Sequence, residues 1–299
     1  KGVYSNGKAT TKTSQAREMG EIPVLSTYTT LLSEIPKEDR KEIKLGLFQL
    51  ISNRLFFKDK DPNQPAYHPR IKMQETYSYQ QLDESTRSAL YHLYNDYFYH
   101  RQESFWKEKA LQKLPAIKAA TQMLICGEDL GMVPDSVPGV MRDLSILSLE
   151  IQRMSKNIQT EFLQEADISY WSVCSPSTHD MSPIRAWWEE MDPPQRQRFY
   201  NQELGFRGRA PQTCESYIAI QMLYQHLDWP SIWAIFPLQD LLAINDSLRR
   251  SNPEEERINV PSNPQHYWRY RMHLQIEDLL EAQDFNAHIQ EMLAETGRL

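Results

Sequence analysis

The stretch that decides the fold is MLICGEDLG, residues 123–131. A short apolar run ends at Gly127, two adjacent carboxylates follow at once, and Gly131 and Pro134 then precede a predicted helix. This order is typical of a buried parallel strand that delivers an acid to the rim of an α/β barrel, where active sites lie. The stretch therefore predicts an α/β fold with an acidic group at the end of a strand.

The chain after this stretch alternates between strand and helix patterns. Apolar runs predict strands over residues 148–154, 170–175 and 231–236, and helical patterns of about 10–15 residues separate them. Strands separated in this way form a parallel sheet with helical crossovers, and about four such βα units fit after residue 120. A complete (β/α)8 barrel has eight units, so we expect residues 113–299 to form the C-terminal half of a barrel.

The first part of the chain lacks this alternation. Residues 1–22 are polar and predict a loop, whereas apolar residues at helical spacing predict helices over residues 37–53 and from residue 83 onward. The three prolines of residues 59–70 predict a loop between these helices. We therefore expect residues 1–112 to be a mostly helical region that precedes the half-barrel.

Composition and charge exclude several classes of protein. The 299 residues are 40% hydrophobic and carry a net charge of −7 without a long basic run, so nucleic acid is not an expected partner. No apolar stretch reaches the ~18–20 residues of a membrane span, and no glycine-rich phosphate loop occurs. Three cysteines without a CxxC pair exclude a zinc ribbon and favour a cytoplasmic protein. Because the chain begins without Met or a signal segment, we expect a piece of a longer or processed protein.

Glu128 is the strongest candidate for a catalytic residue. At the end of an apolar strand it could be a buried acid held in a salt bridge, or a general acid/base whose pKa is raised by partial burial. The neighbouring Asp129 lies on the opposite side of the strand, so the two carboxylates cannot face one substrate. We expect a structural role for Asp129, either capping the turn or anchoring a basic group.

A second polar group, His179 and Asp180, follows another apolar run. Asp180 could bind two vicinal hydroxyls of a sugar while His179 donates to a third, or Asp180 could cap the next helix. Cleavage of a glycosidic bond requires at least two carboxylates, and here two strand ends of the same sheet would each supply one. Asp240 follows the last strand and could line the same rim or cap a helix, and Trp268 could stack on a sugar or pack against the barrel.

Four motifs occur in order along the chain: CGEDLG at 126–131, THD at 178–180, WAIFPLQDLL at 233–242 and HYWRYR at 266–271. Together they resemble the 4-α-glucanotransferases, the amylomaltase or disproportionating-enzyme family, which is related to the α-amylases. The last motif is most similar to the disproportionating-enzyme 2 type, and the likeness runs from residue 40 to residue 299. The resemblance implies a retaining transfer of glucosyl units between α-1,4-glucans. Maltose, maltodextrin or a glycogen-like glucan would be the substrate, and no metal or organic cofactor is implied.

The resemblance also implies roles for individual residues. Glu128 would be the acid/base, and Asp180, assisted by His179, would stabilise the oxocarbenium-like transition state. The family's covalent nucleophile is an aspartate in an Arg-x-Asp-His motif, which does not occur in this sequence. We therefore expect the nucleophile to lie upstream, the chain alone to be inactive, and residues 1–112 to be an insertion between nucleophile and acid/base. Met181 stands where the family usually carries Asn.

Three further residues are predicted to bind substrate: Trp233, Asp240 and Trp268, with the two tryptophans lining an acceptor site. Two other functions stay open, an α-glucan hydrolase of the same superfamily and a non-catalytic glucan-binding fragment. The open edge of a half-barrel could also pair with a second copy of the chain, so we consider a homo-oligomer.

Overall fold

The structure is a computed structural model that describes residues 36, 39–61, 63, 66–131 and 133–299, with the backbone of residues 4–5 and 8–9. Residues 4–5 and 8–9 form strands β1 (Tyr4–Ser5) and β2 (Lys8–Ala9), which pair antiparallel. Most of the predicted loop over residues 1–22 lies outside the described residues. The chain divides into two compact units, Lys1–His100 and Arg101–Leu299, and each is considered separately.

Helices dominate the described part of the first unit. They are α1 (Arg40–Ser52), α2 (Tyr77–Gln80) and α3 (Glu84–Asp96). Asp83 is the N-cap of α3, because its side chain accepts a hydrogen bond from the N–H of Thr86 at 2.9 Å. The helices predicted over residues 37–53 and from residue 83 are confirmed.

A short hairpin connects α1 to α2. Strand β3 (Phe56–Lys58) pairs antiparallel with β4 (Tyr67–Pro69), and Phe56 lies opposite Pro69. The predicted loop over residues 59–70 is therefore wrong at its C-terminal end. Proline is tolerated there because Pro69 is the last residue of a strand at a sheet edge.

The second unit begins with two packed helices, α4 (Gln102–Ala119) and α5 (Ser136–Asp143). Leu114 of α4 packs against the buried apolar cluster that α5 contributes. The carboxylate of Glu103 accepts two backbone N–H bonds at the start of α5, at 3.0 and 2.9 Å. These contacts tie α4 to the second unit, so the domain boundary predicted after residue 112 falls inside this helix.

Three parallel strands form the sheet of the second unit, in the order β5 (Ser148–Ile151), β6 (Ser172–Ser175) and β7 (Trp233–Ala234). A parallel bridge between Cys126 and Leu147 adds a fourth position on the side of β5 away from β6. All four positions coincide with apolar runs that predicted strands, although each is shorter than predicted. The parallel order confirms the α/β class.

The apolar run before Gly127 is the least complete of these positions. Backbone bonds of 2.8 Å join Leu147 to Ile125 and to Gly127. Upstream of this bridge, however, Met123 and Leu124 are 75% and 55% exposed. The prediction of a buried strand is therefore wrong for the start of the run, which pairs with the sheet only where it meets Leu147.

Six further helices cover the sheet and follow it: α6 (Ile184–Glu190), α7 (Pro193–Arg198), α8 (Ser216–Asp228), α9 (Leu238–Leu242), α10 (Ile276–Glu281) and α11 (Gln283–Glu295). The main core lies among α6, α8 and α11, where Trp188, Phe199 and Met222 are wholly buried. Helix α9 begins directly after Pro237 and contains Asp240 in its first turn. The two tryptophans of α6, Trp187 and Trp188, are buried in this core, so α6 packs against it.

Candidate functional site

The candidate residues lie along one edge of the parallel sheet. Glu128 follows the bridge at Cys126, and Asp180 follows β6 after a short loop. The carboxyl ends of parallel strands meet at the same edge, so both acids belong to that edge. One strand, β5, separates their positions, and at about 4.8 Å between neighbouring strands the two strand axes lie about 10 Å apart.

Glu128 is exposed, and no hydrogen bond or salt bridge engages it among the described residues. This differs from the partial burial that we predicted. Gly127 explains how the chain reaches this position: a Cβ there would lie 2.9 Å from Cε of Met141. The backbone before Glu128 is therefore pressed against α5, while the Glu128 side chain faces outward. An unpaired carboxylate at this edge is free to contact a ligand.

Asp129 takes the opposite orientation and is 7% exposed. Its Oδ1 accepts the backbone N–H of Leu149 at 2.8 Å, and its Oδ2 accepts a bond from Nζ of Lys156, also at 2.8 Å. The same ammonium group donates to Oε1 of Glu150 at 3.0 Å. The prediction that Asp129 anchors a basic group is confirmed, and the salt-bridged buried acid of this motif is Asp129 rather than Glu128.

His179 and Asp180 project from the sheet edge with side chains 56% and 53% exposed. Nε2 of His179 lies 3.4 Å from Oδ2 of Asp180, and Oδ1 of Asp180 accepts a bond from the amide of Asn259 at 2.6 Å. The His179 ring lies 5.1 Å from the ring of Trp268, centroid to centroid. The structure thus brings two predicted residues, His179 and Trp268, together with Asp180 in one accessible cluster.

Asp180 does not cap the following helix. The N-cap of α6 is Pro183, and the N–H of Ile184 donates instead to Oδ1 of Asp240 at 2.8 Å. The alternative that Asp180 is an N-cap residue is therefore wrong. Its carboxylate keeps an exposed face, which a ligand can reach.

Asp240 occupies a different place from the one predicted. It is 0% exposed, and both carboxylate oxygens are engaged, one by the N–H of Ile184 and the other by the hydroxyl of Ser177. Burial raises the pKa of Asp240 to about 6, although these two bonds and the charge of Arg153 act to lower it. Direct substrate binding by Asp240 does not fit this enclosure, because no face of the carboxylate is open to solvent.

Trp233 lies in β7, opposite Val173 of β6, and is 52% exposed. No ring contact joins it to the cluster of His179 and Trp268 among the described residues. Its predicted role in substrate binding stays a prediction. Trp268 is 56% exposed and has a defined neighbour, which makes it the more clearly placed of the two tryptophans.

Two residues that contact the site were missed by sequence reasoning. Asn259 lies in a stretch rich in turn formers and reaches Asp180 across a long separation in sequence. Arg153 follows β5 and donates to the backbone carbonyls of Ser182 and Pro176 at 2.8 and 3.0 Å. Arg153 is a charged residue directly after an apolar strand, and Asn259 begins a stretch rich in turn formers and rings, but neither signal assigned the residue a role at the site.

Other kinds of site are not evident in the part of the chain that the structure describes. No group of three His, Cys, Asp or Glu side chains there is arranged to hold a metal ion. No helix among those residues combines the length and the apolar character needed to cross a bilayer. The three cysteines are free thiols, Cys126 exposed and the other two buried.

Comparison with known proteins identifies close relatives in sequence. Residues 35–276 match the sequence profile of the Glyco_hydro_77 family, 4-alpha-glucanotransferase. The chain is 42% identical over 264 residues to 4-alpha-glucanotransferase DPE2 of Oryza sativa subsp. japonica, and 30% identical over 183 residues to 4-alpha-glucanotransferase of Chlamydia pneumoniae. These matches cover 88% and 60% of the chain but 28% and 34% of the relatives. The chain thus spans between a quarter and about a third of the length of these two relatives.

Two solved structures are similar to part of the chain. Amylomaltase from Streptococcus agalactiae in complex with acarbose has a TM-score of 0.48 and 20% sequence identity, and covers 62% of this chain and 34% of its own. Amylomaltase from Corynebacterium glutamicum has a TM-score of 0.42 and 13% identity, and covers 59% of this chain and 29% of its own. Both likenesses are partial.

Proposed function

The chain belongs to the 4-alpha-glucanotransferase family, and we propose that it supplies the acid/base and the transition-state-stabilising groups of a retaining glucan transfer. The observation that carries this proposal is the pair of exposed carboxylates, Glu128 and Asp180, on one edge of a parallel sheet. Each is accessible to a ligand, and each follows an apolar strand position. A glycosidic bond held along this edge would meet both groups.

In this proposal Glu128 acts first as an acid and then as a base. It protonates the glycosidic oxygen of the donor glucan as the bond to the anomeric carbon breaks, and later removes the proton of an acceptor 4-hydroxyl. Its unpaired state supports the role, because no salt bridge within the described residues engages the carboxylate that must contact the glycosidic oxygen. Retention requires a second carboxylate about 5–5.5 Å away as nucleophile. The Arg-x-Asp-His motif does not occur in residues 1–299, so we assign that role to none of them.

Asp180 is proposed to bind the sugar on which positive charge develops. One of its oxygens is held by Asn259, which fixes the carboxylate and leaves the other oxygen, near His179, directed toward the accessible cluster. A fixed negative charge stabilises an oxocarbenium-like centre without reorganisation at the moment of reaction. Trp268, next to His179, offers a ring face for an acceptor sugar.

We propose that the second unit is the C-terminal half of a (β/α)8 barrel. The sheet supports this, because the bridge and three strands make four consecutive parallel positions. α-Helices lie between the bridge and β5 and between β6 and β7, whereas a loop with one short 3-10 turn joins β5 to β6. The helical residues before it are proposed as an insertion. The substrate would be an α-1,4-glucan such as maltose, maltodextrin or a glycogen-like polymer.

The test measures transfer by the polypeptide that carries this chain, with maltodextrin as donor and labelled glucose as acceptor. We expect label to enter oligosaccharides, and Glu128→Gln to lower the rate of this transfer by about 10²–10⁴-fold. The matched control is Glu165→Gln, an exposed carboxylate that precedes β6 and so lies at the opposite edge of the sheet. Transfer should be unaffected in this variant.

Other outcomes separate the alternatives. An α-glucan hydrolase would release glucose and leave the label in the monomer. A non-catalytic glucan-binding protein would bind maltodextrin, as measured by titration calorimetry, but would catalyse neither transfer nor hydrolysis. Full transfer activity in Glu128→Gln would contradict the proposed role of this residue.

A further inference from the structure

The loop that bears Thr178, His179 and Asp180 has an exposed tip and buried ends. Ser177 and Ser182, on either side of the tip, are 2% and 3% exposed. The tip makes few bonds of its own within the loop: the N–H of Asp180 lies 3.3 Å from Oγ1 of Thr178, and the N–H of Met181 donates to Thr178 O at 3.2 Å. The location of the tip therefore depends on the groups that hold the two ends of the loop.

Asp240 holds both ends from one side. The hydroxyl of Ser177, before the tip, donates to Oδ2, and the N–H of Ile184, after the tip, donates to Oδ1 at 2.8 Å. All three residues are buried, with exposed fractions of 0% to 2%. One carboxylate thus joins two residues that flank the tip, one through its side-chain hydroxyl and the other through its backbone N–H.

Arg153 holds the same loop through its two terminal nitrogens. Nη2 donates to the carbonyl of Pro176 at 3.0 Å, and Nη1 donates to the carbonyl of Ser182 at 2.8 Å. The guanidinium also lies over the ring of Trp187 in α6, 4.5 Å from its centroid. Because a guanidinium is planar and its donors are fixed relative to one another, it sets the spacing between the two carbonyls.

The two side chains also compensate each other electrostatically. Burial lowers the pKa of Arg153 to about 10, and the charge of Asp240 is the first of the effects that oppose this. Arg153 in turn acts to lower the pKa of Asp240. Neither charge would be stable at this depth alone, and together they bind the loop at residues 176, 177, 182 and 184.

We infer that Arg153 and Asp240 are positioning residues that act on the reaction through Asp180, by fixing the loop on which it stands. This inference rests on the proposed function, because it assigns the loop tip a role in transfer. The other reading is that the pair only stabilises the fold. The two readings differ in whether the effects of Asp240 and Asp180 substitutions are independent.

A double-mutant cycle in the transfer assay distinguishes them. We expect Asp240→Asn to lower kcat by about 10–100-fold with a much smaller change in KM, because a shift of about 1 Å in a reacting group costs this much. In an Asp180→Asn background, Asp240→Asn should cause little further loss, since the group that it positions is already gone. Losses that multiply in the double variant would overturn the inference.

Arg153→Lys is a second variant, because it keeps the charge beside Asp240 but cannot span both carbonyls. Its matched control is Arg196→Lys: Arg196 is a buried arginine that donates to the carbonyls of Trp188 and Gln212, away from the loop. We expect a kcat loss of about 10-fold or more for Arg153→Lys. An equal loss in both variants would contradict a specific positioning role.

Amide hydrogen exchange at Met181 tests the inference without any glucan. The N–H of Met181 closes the turn at the tip and bonds to neither Arg153 nor Asp240. We expect its exchange to accelerate about tenfold or more in Asp240→Asn and Arg153→Lys, and to stay unchanged in Arg196→Lys. If Asp180→Asn retains full transfer, the proposed function fails, and exchange at Met181 still decides whether the pair holds the loop. Unchanged exchange would overturn the inference even where activity falls.

Discussion

Two buried carboxylates, Asp129 and Asp240, accompany the two exposed candidates of the site. Each buried group accepts a backbone N–H at 2.8 Å; Asp129 forms a salt bridge with Lys156, whereas the charge of Arg153 acts on Asp240 and lowers its pKa. They differ in distance along the sequence, because Asp129 directly follows Glu128, whereas Asp240 belongs to a helix far along the chain from Asp180. Asp129 thus fixes the backbone next to Glu128 from the adjacent position in sequence, whereas Asp240 fixes the loop of Asp180 from a distant part of the chain.

The two regions also differ in enclosure. Lys156, the partner of Asp129, has a side chain that is 29% exposed, so water reaches that pair. Asp240 is wholly enclosed, and its burial outweighs the bonds and the charge that lower its pKa. Solvent therefore helps to stabilise the charges of the Asp129–Lys156 pair. The charge of Asp240, which water does not reach, is stabilised instead by its two hydrogen bonds and by the buried guanidinium of Arg153.

The largest expected effect distinguishes the exposed Glu128 from its buried neighbour Asp129. Glu128→Gln should lower kcat by about 10²–10⁴-fold, as loss of a general acid/base does, and should leave the free energy of unfolding within about 0.5 kcal/mol. Asp129→Asn should instead destabilise the fold, because Lys156 loses one of its two charged partners. Transfer assays with urea unfolding of both variants check this. Equal stability losses in the two variants would remove the distinction between them.

The next effect tests the dependence of the Asp129 region on one ammonium group. Lys156 is paired with two buried carboxylates, those of Asp129 and Glu150. Lys156→Met leaves both without a counter-charge, and we expect a loss of about 3 kcal/mol in the free energy of unfolding. The matched control is Lys109→Met, whose pair with Glu108 is exposed at the surface and should matter by at most a few tenths of a kcal/mol. A loss below about 1 kcal/mol for Lys156→Met would contradict the comparison.

A third prediction concerns pH and the enclosed region. The folded-state pKa of Asp240, about 6, is above its ordinary 3.8, so its contribution to stability is present below about pH 4 and lost as pH rises through 6. His226 is also fully enclosed, and burial lowers its pKa from 6.5 to about 4. Its contribution is present above about pH 6.5 and lost as pH falls through 4. Each amounts to about 3 kcal/mol, and the two oppose each other.

Variants that remove one group should therefore expose the pH dependence of the other. Relative to the unmodified chain, Asp240→Asn should gain stability as pH rises from 4 to 6.5, and His226→Gln should lose it over the same range. Urea unfolding at half-unit steps of pH measures both differences. Parallel curves for the chain and either variant would show that the corresponding group is not enclosed in solution.

The smallest effect concerns the close approach of backbone before Glu128. Gly127→Ala places a Cβ 2.9 Å from Cε of Met141, the end of a flexible side chain that can shift, and we expect a loss of at most about 1 kcal/mol in the free energy of unfolding. Gly139→Ala is the control, because nothing lies within 4 Å of its Cβ and it stands inside α5. That substitution should stabilise the chain by about 0.5–1 kcal/mol. Effects of the same sign would contradict the close packing at Gly127.

Sequence reasoning predicted the local features of the fold well. Apolar runs located β5, β6 and β7, and helical spacing located α1 and α3, because side-chain periodicity directly reflects which face is buried. Alternation along a strand also separated Glu128 from Asp129 correctly. The exposure of Glu128 was not predictable, since it depends on how far the apolar run pairs with the sheet.

The parallel α/β pattern, the opposite orientations of the adjacent acids and, through the motifs, the family could all be inferred from the amino-acid sequence. The enclosure of Asp240, the span of Arg153 across the loop and the bond from Asn259 to Asp180 become visible only in the folded chain. The two groups of features differ in the sequence separation of the interactions that produce them. Periodicity and turn chemistry act over a few residues, whereas these bonds join groups that only the folding of distant helices and strands brings within 3 Å.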